Sequence, residues 1–362
     1  MRGDADPAGM RVALVAMETS HLSDTPGNRR LEQVARGLAG RGHEVTVFCT
    51  QFWRGTDSER VVDGVRYRPV TLGRAPRSFF ASLPAVLARH RPDVVHTRPT
   101  PPGQVLAASV GGTLARAPLV IEWYGDEGLD TDRRLTRAAV SRPDLVVSPS
   151  ELVRTRVREF GVPGERVEVI PESIDFDRVR GVEPAREVDV AYAHPLDGSA
   201  NVESLLLGLA ELRDRDWSAR VIGDGPQREA YERQAADLRI DDRVEFVGAC
   251  DRERRLAIYR GTHAFVQTAY REYFATELLW ALACGCIGIV EYQAESSAHE
   301  LIENYERSFR VTNPQQLADA IVDCGEFERL SVEDSWAGYH HDAVAGRYAD
   351  AYERLTAEYG LL

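Results

Sequence analysis

The segment Glu272-Tyr273-Phe274-Ala275-Thr276 sets a carboxylate just ahead of a helix start. A carboxylate accepts hydrogen bonds from hydroxyl groups. The first turn of a helix leaves backbone N–H groups unpaired, and those around Phe274, Ala275 and Thr276 would favour an anion. Two other strand-to-helix turns share this character: Thr25-Pro26-Gly27-Asn28 and Gly223-Asp224-Gly225-Pro226. Glycine there permits close backbone approach, although a glycine in such a turn also serves the turn alone. His194 stands in a loop after another strand, where a protonated imidazole would add positive charge. A loop histidine without a role is the other reading, and both stay open.

Other chemistries fall away. The chain has 362 residues, a net charge of −13 and no lysine, so all 44 basic residues are arginine. A Schiff-base lysine or a lysine on phosphate is therefore ruled out. The acidic balance argues against nucleic acid as a partner, whose affinity rests on basic phosphate contacts. It also suits adaptation to a salty cytoplasm. Of the five cysteines only Cys284 and Cys286 are close, and C-x-C without a second pair is not a zinc spacing. Reduced, buried thiols of a cytoplasmic protein are expected. Glu291, Glu295, His299 and Glu300 match no standard metal pattern, and a helix-start cap suits them better. The absence of a G-x-G-x-x-G turn counts against a nicotinamide enzyme.

The elements that must position these groups alternate along the chain. β-Branched runs such as Val12–Val15, Val45–Phe48, Val188–Tyr192, Ala264–Val266 and Ile287–Val290 are separated by amphipathic stretches. Continuous apolar runs between helical periods predict α/β architecture with parallel sheets covered on both faces. Residues 1–9 are too polar for a signal peptide and read as a disordered lead-in. A first doubly wound domain is expected over 10–175, a charged linker over 176–187, a second such domain over 188–331, and closing helices over 332–362. No apolar run reaches transmembrane length. Arg74-Ala75-Pro76-Arg77-Ser78-Phe79-Phe80 leads into an amphipathic helix, with a core-facing stripe and a membrane-surface face as its two readings.

Taken as an ordered series, these segments resemble family 4 retaining glycosyltransferases. Glu272 and Phe274 match the start of that family's E-x7-E segment, followed by the run Ala281-Leu282-Ala283-Cys284-Gly285. Gly223-Asp224-Gly225-Pro226 matches its V-x-G-D-G-P turn, and Asp93-Val94-Val95-His96 its D-V-V-H strand. The resemblance implies two Rossmann-like domains facing a cleft, the GT-B fold. It implies transfer of a sugar from a nucleotide-sugar donor to a glycan or lipid-linked acceptor with retained configuration, without a metal or other cofactor. Glu272 would be the catalytic residue that positions the donor sugar. Phe274, Ala275 and Thr276 would hold phosphate, Gly223, Asp224 and Gly225 would lie near the nucleotide, and Gly27 would admit the donor on the acceptor side. Tyr124 replaces a sugar-contacting His. His194 or Pro195 falls where a phosphate-binding Arg belongs. The enzyme would be cytoplasmic, with peripheral contact at the inner membrane face as an option.

The departures matter as well. The second Glu of the segment is Trp280, which has no acceptor for a ribose hydroxyl and is expected to pack in a buried helix. Glu277, one turn earlier, would substitute if the helix rotated; a solvated side chain is the other reading. Ser296-Ser297 replaces a glycine pair, and Pro171-Glu172-Ser173-Ile174-Asp175 stands for a P-N-G-V-D turn without its asparagine. These losses keep an alternative in view: a catalytically impaired GT-B protein that binds a nucleotide sugar or a partner enzyme.

Overall fold

The computed structural model describes residues 9–129 and 134–360. The lead-in therefore lies, apart from Gly9, outside the described residues. The chain divides into two compact units, one of residues 1–172 with 341–362, the other of residues 173–340.

The first unit is built on β1 (Arg11–Ala16), β2 (Glu44–Thr50), β3 (Arg60–Val62), β4 (Val65–Thr71), β5 (Val94–Thr97), β6 (Leu119–Glu122), β7 (Leu145–Ser148) and β8 (Val167–Val169). They form one sheet in the order β3-β4-β2-β1-β5-β6-β7-β8, parallel except for β3 against β4. Its helices are α1 (Pro26–Gly40), α2 (Pro76–His90), α3 (Pro102–Ala115), α4 (Arg134–Val140) and α5 (Glu151–Glu159). Val12, Ala13, Leu14 and Val15 are all fully buried, as a strand covered on both faces requires. Helix α1 begins where Thr25 accepts from the Asn28 N–H and Pro26 supplies a preset φ. Leu31, Val34, Ala35 and Leu38 then follow the helical period into the core. Each such side chain contributes about 1.5–3 kcal/mol on burial. In α2, Phe79, Leu83 and Leu87 are buried, so the stripe after Arg74 faces the core.

The second unit contains α6 (Phe176–Gly181), β9 (Val188–Ala193), α7 (Val202–Glu211), β10 (Ala219–Ile222), α8 (Arg228–Asp237), β11 (Val244–Gly248), α9 (Arg252–Arg260) and β12 (Thr262–Gln267). There follow β13 (Arg271–Glu272), α10 (Thr276–Ala283), β14 (Ile287–Glu291), β15 (Glu295–Ser296), α11 (Ala298–Ile302), β16 (Ser308–Val311) and α12 (Pro314–Asp323). Its parallel sheet runs β11-β10-β9-β12-β14-β16, and β13 pairs with β15 apart from it. One apolar cluster, including Leu205, Leu209 and Leu317, covers one face; another, including Leu278, Leu282 and Phe265, covers the other.

Two expectations are revised. Residues 176–187 are not simply a linker. Asp175 caps α6 by accepting from the Arg178 N–H at 3.1 Å, and Phe176 and Val179 are buried. That single apolar pair is hidden among charges, which is why no period was visible. The closing stretch also divides: Trp336 packs in the second unit, whereas α13 (His341–Tyr359) returns to the first.

A buried polar network anchors α13 there. The Arg30 Nε donates to Glu122 Oε1 at 2.7 Å, and its Nη2 donates to the Ile170 carbonyl and the Tyr348 hydroxyl. Tyr348 donates to Glu122 Oε2 at 2.8 Å, and His96 Nε2 lies 3.3 Å from that oxygen. Tyr352 pairs with His96 Nδ1. His96 thus has a structural place at its strand end. Burial alone would raise the Glu122 pKa, but Arg30 and His96 outweigh it and bring the carboxyl down to about 2. A depressed folded-state pKa contributes stability above the unfolded value and loses it as pH falls through the folded one. Glu122→Gln should therefore cost about 3 kcal/mol at pH 7. The gap to wild type should narrow below pH ~4.3. Urea melts of both proteins between pH 7 and pH 3 measure this; a pH-independent gap would contradict it.

Candidate active site

In a doubly wound sheet, ligands are met at the carboxyl ends of strands where the winding reverses. In the second unit that place lies between β9 and β12. β9 delivers His194, and β12 delivers Gln267. The Gln267 side-chain amide donates to Glu272 Oε1 at 3.1 Å, and His194 Nε2 lies 3.3 Å from the same oxygen. Two residues of expected function, 78 positions apart, thus meet.

Their pairing sets a charge state. His194 Nδ1 lies 2.7 Å from the Pro195 carbonyl, which can only accept, so Nδ1 carries a proton. A neutral ring would then aim a lone pair at the Glu272 carboxylate. Burial works against a charged imidazole, but the hydrogen bond to Glu272 and its negative charge prevail, and the His194 pKa is raised.

The glycine turn supports this loop from below. Gly223 and Gly225 have φ of +133° and +159°. A Cβ on Gly223 would come within 2.0 Å of the His194 carbonyl oxygen, and one on Gly225 within 2.5 Å of that of Leu196. The backbone is also tied: His194 N–H to the Ile222 carbonyl, Leu196 N–H to that of Asp224. These glycines therefore position the His194 loop by close approach. Asp224 is exposed and accepts from the Gly225 N–H at 2.9 Å.

Beyond Glu272 the chain turns into α10. Its backbone carbonyl accepts from the Ser297 N–H at 2.9 Å, which fixes the β13–β15 pair. Phe274 and Ala275 are buried, and Thr276 opens the helix half-buried. Trp280 is 6% exposed, with the Arg252 guanidinium 4.9 Å over its ring. Glu277 is not a solvated side chain. It accepts from Arg252 at 3.0 Å, Arg255 at 2.6 Å and the Tyr259 hydroxyl at 2.6 Å.

In the first unit the winding reverses between β1 and β5. A cavity of about 580 Å³ opens there, lined by Glu18, Thr25, Asn28, Arg98, Asp126 and Glu127 among others. The Gly27 N–H donates to Asp126 Oδ2 at 3.1 Å, and a Cβ on Gly27 would come within 2.3 Å of Arg98 Nη2. Tyr124 is buried, and its N–H donates to Glu127 Oε1 at 2.8 Å.

Sequence reasoning missed Gln267, Arg98 and Asp126 as site residues. Gln267 and Arg98 are polar residues at or just after the end of a strand beside a winding reversal, and that was the available signal; Asp126, in the loop after β6, had none. Among the described residues no group of three or more His, Cys, Asp or Glu is placed to hold a metal ion. Glu295 pairs with Arg271, Glu291 lies by Asn201, and His299 Nδ1 bonds the Ser296 carbonyl.

Two Rossmann-like units are the architecture of the GT-B glycosyltransferases. A model of Glycosyltransferase Family 4 matches residues 27–178, and one of Glycosyl transferases group 1 matches residues 173–326. The chain belongs to these glycosyltransferases and is a transferase enzyme. It is similar to a D-inositol 3-phosphate glycosyltransferase of Nocardia farcinica, 26% identical over 76% of this chain and 72% of the relative. Its fold is like that of a Rickettsia africae glycosyltransferase, with a TM-score of 0.75 at 14% identity over 96% of this chain and 98% of the other. It is also like Anabaena HepE in complex with UDP, with a TM-score of 0.66 at 18% identity and the same coverage.

Two outcomes check the site. In an NMR titration the His194 ring should titrate above pH ~6.5, and Glu272→Gln should lower its midpoint. Since the folded value is raised, the pair's stabilisation is complete below the unfolded pKa and disappears as pH rises through the folded one. An unchanged midpoint in the variant would break the pairing argument. Trp280→Glu should lose about 3 kcal/mol or more in a denaturant melt, because it removes buried aromatic surface and buries a carboxylate. A variant of wild-type stability would show that the Trp280 pocket is not a packed core.

Proposed function

We propose that this glycosyltransferase takes a sugar from a nucleoside-diphosphate sugar and passes it, with retained anomeric configuration, to a glycan or lipid-linked acceptor. The second unit holds the donor. Glu272, oriented by Gln267, accepts hydrogen bonds from donor-sugar hydroxyls. His194, kept protonated beside it, meets the departing phosphate, where charge develops during transfer. N–H groups at the start of α10, from Phe274 to Thr276, add donors to the phosphate. The Gly223–Gly225 turn and Asp224 border the nucleotide, and Gly27 and Tyr124 serve the acceptor side. No metal or further cofactor takes part, the nucleotide sugar being a substrate.

The observation that carries this reading is the Glu272–His194 contact at the β9–β12 reversal, in a chain of this family. The UDP bound to HepE supports a nucleotide donor, and the name of the Nocardia relative supports a hydroxylated acceptor. Among the described residues no helix is long and apolar enough to cross a membrane. A cytoplasmic enzyme, touching the inner membrane face where a lipid-linked acceptor lies, accords with that.

Thermal-shift screening of nucleotide sugars should reveal one donor that raises the melting temperature, since a ligand of the native state stabilises it. With that donor, Glu272→Ala should cut transfer roughly 100-fold or more while the free protein still folds, losing only the stabilisation of the His194 pair. Transfer at the wild-type rate would remove Glu272 from the reaction.

A further inference from the structure

The first-unit cavity is built around a cation already claimed. Arg98 follows β5, and its side chain is 8% exposed. Its Nη2 donates to Asp126 Oδ1 at 2.5 Å and to Glu127 Oε1 at 3.2 Å. Its Nη1 donates to Asn28 Oδ1 at 2.9 Å and Thr25 Oγ1 at 3.2 Å. The other anion-seeking feature here, the start of α1, is claimed by the same carboxylate, since the Gly27 N–H donates to Asp126 Oδ2. Asp126 thus stands where a phosphate would.

The remaining lining does not reverse this. Glu127 is fixed by the N–H groups of Tyr124 and Gly125, both at 2.8 Å, and keeps its place beside Arg98. Glu18 adds a third carboxylate, paired with the exposed Arg74 at 3.1 Å. Among the described lining residues there are three carboxylates and one arginine. An entering phosphate would have to displace Asp126 and then lie against Glu127. Like charges in a half-enclosed site repel, and the displaced carboxylate would need a new partner. A neutral polyol meets no such cost. Hydroxyls can both donate to Glu18 and Asp126 and accept from Thr25 and Ser23.

We infer that this cavity selects an uncharged, polyhydroxylated acceptor group over a phosphorylated one, and that Asp126 is the residue that sets the preference by neutralising Arg98 and the start of α1. The inference rests on the acceptor being met by the first unit. It separates this chain from its Nocardia relative, whose name specifies a phosphorylated inositol.

The test uses the full chain without donor, at low ionic strength. Glucose and glucose 6-phosphate are titrated while the amide signals of Asn28 and Gly128, which line the cavity, are followed by NMR. In the wild-type protein glucose should bind more tightly than glucose 6-phosphate at these amides, and equal binding overturns the inference. Asp126→Asn and Asp126→Ser should each bind glucose 6-phosphate roughly tenfold more tightly than wild type, as a freed charge-assisted contact allows. Adding Arg98→Gln should remove that gain. Wild-type protein that prefers glucose 6-phosphate at these amides overturns the inference. So does an absent gain in both Asp126 variants, or a gain that survives Arg98→Gln. The wild-type comparison decides even where a variant folds poorly. Because no donor is present, the result is independent of whether Glu272 carries the transfer.

Discussion

Parallel strands can be joined only by crossovers, and this constraint organises the whole chain. Every strand of the two large sheets except β3 runs the same way as its neighbours, so the carboxyl ends gather along one edge of each sheet. Where the winding reverses, the crossover helices leave in opposite directions and the strand ends stay uncovered. His194, Gln267 and Glu272 gather at one such edge, and Arg98, Asp126 and Glu18 at the other. The chemistry is therefore a consequence of topology before it is one of particular residues. The buried strands only have to be apolar, and the loops after them are free to be polar.

That division explains how much was legible in the sequence. Continuous apolar runs at regular spacing mark the strands, and the turns Gly223–Pro226 and Thr25–Asn28 mark two crossovers. Glu272, Phe274 and the Ala281–Gly285 run carry the resemblance to the family because they lie in one short segment. Contacts between distant segments have no such trace. Arg98 and Asp126 sit 28 positions apart, and nothing in either neighbourhood announces the other. The return of α13 to the first unit depends on Tyr348 reaching Glu122 across 226 positions. Helix α6 was unreadable because two buried residues, Phe176 and Val179, are too few to establish a period amid charge.

The glycines show a second limit. Gly223 and Gly225 suggest a ligand because glycine lets a backbone approach closely, yet the atoms they approach are carbonyls of the His194 loop. Gly27 likewise makes room for Arg98. Within the chain, the close approach these glycines allow is to a loop carbonyl or an arginine. In each case the glycine acts one step removed, by seating a loop or an arginine that carries the charge.

A chain without lysine must build every buried cation from a fork. Guanidinium has five donors in a plane and stays charged, so it binds best where several acceptors are arranged around it. Arg30 and Arg98 each follow that pattern, with Glu122 and Asp126 among their partners. Such arginines are committed to the fold and are poor mobile counter-charges for a substrate. Histidine is the remaining residue that can gain a proton in response to its surroundings. At the β9–β12 edge that residue is His194, whose pKa is raised, against the effect of burial, by its hydrogen bond to Glu272. The helix that follows obeys the same economy of charge. With Trp280 in the core, the carboxylate of α10 sits at Glu277, where two arginines of α9 receive it and one of them also covers the indole face. Trp280 and Glu277 thus share Arg252, which pairs with the carboxylate of one and lies over the ring of the other.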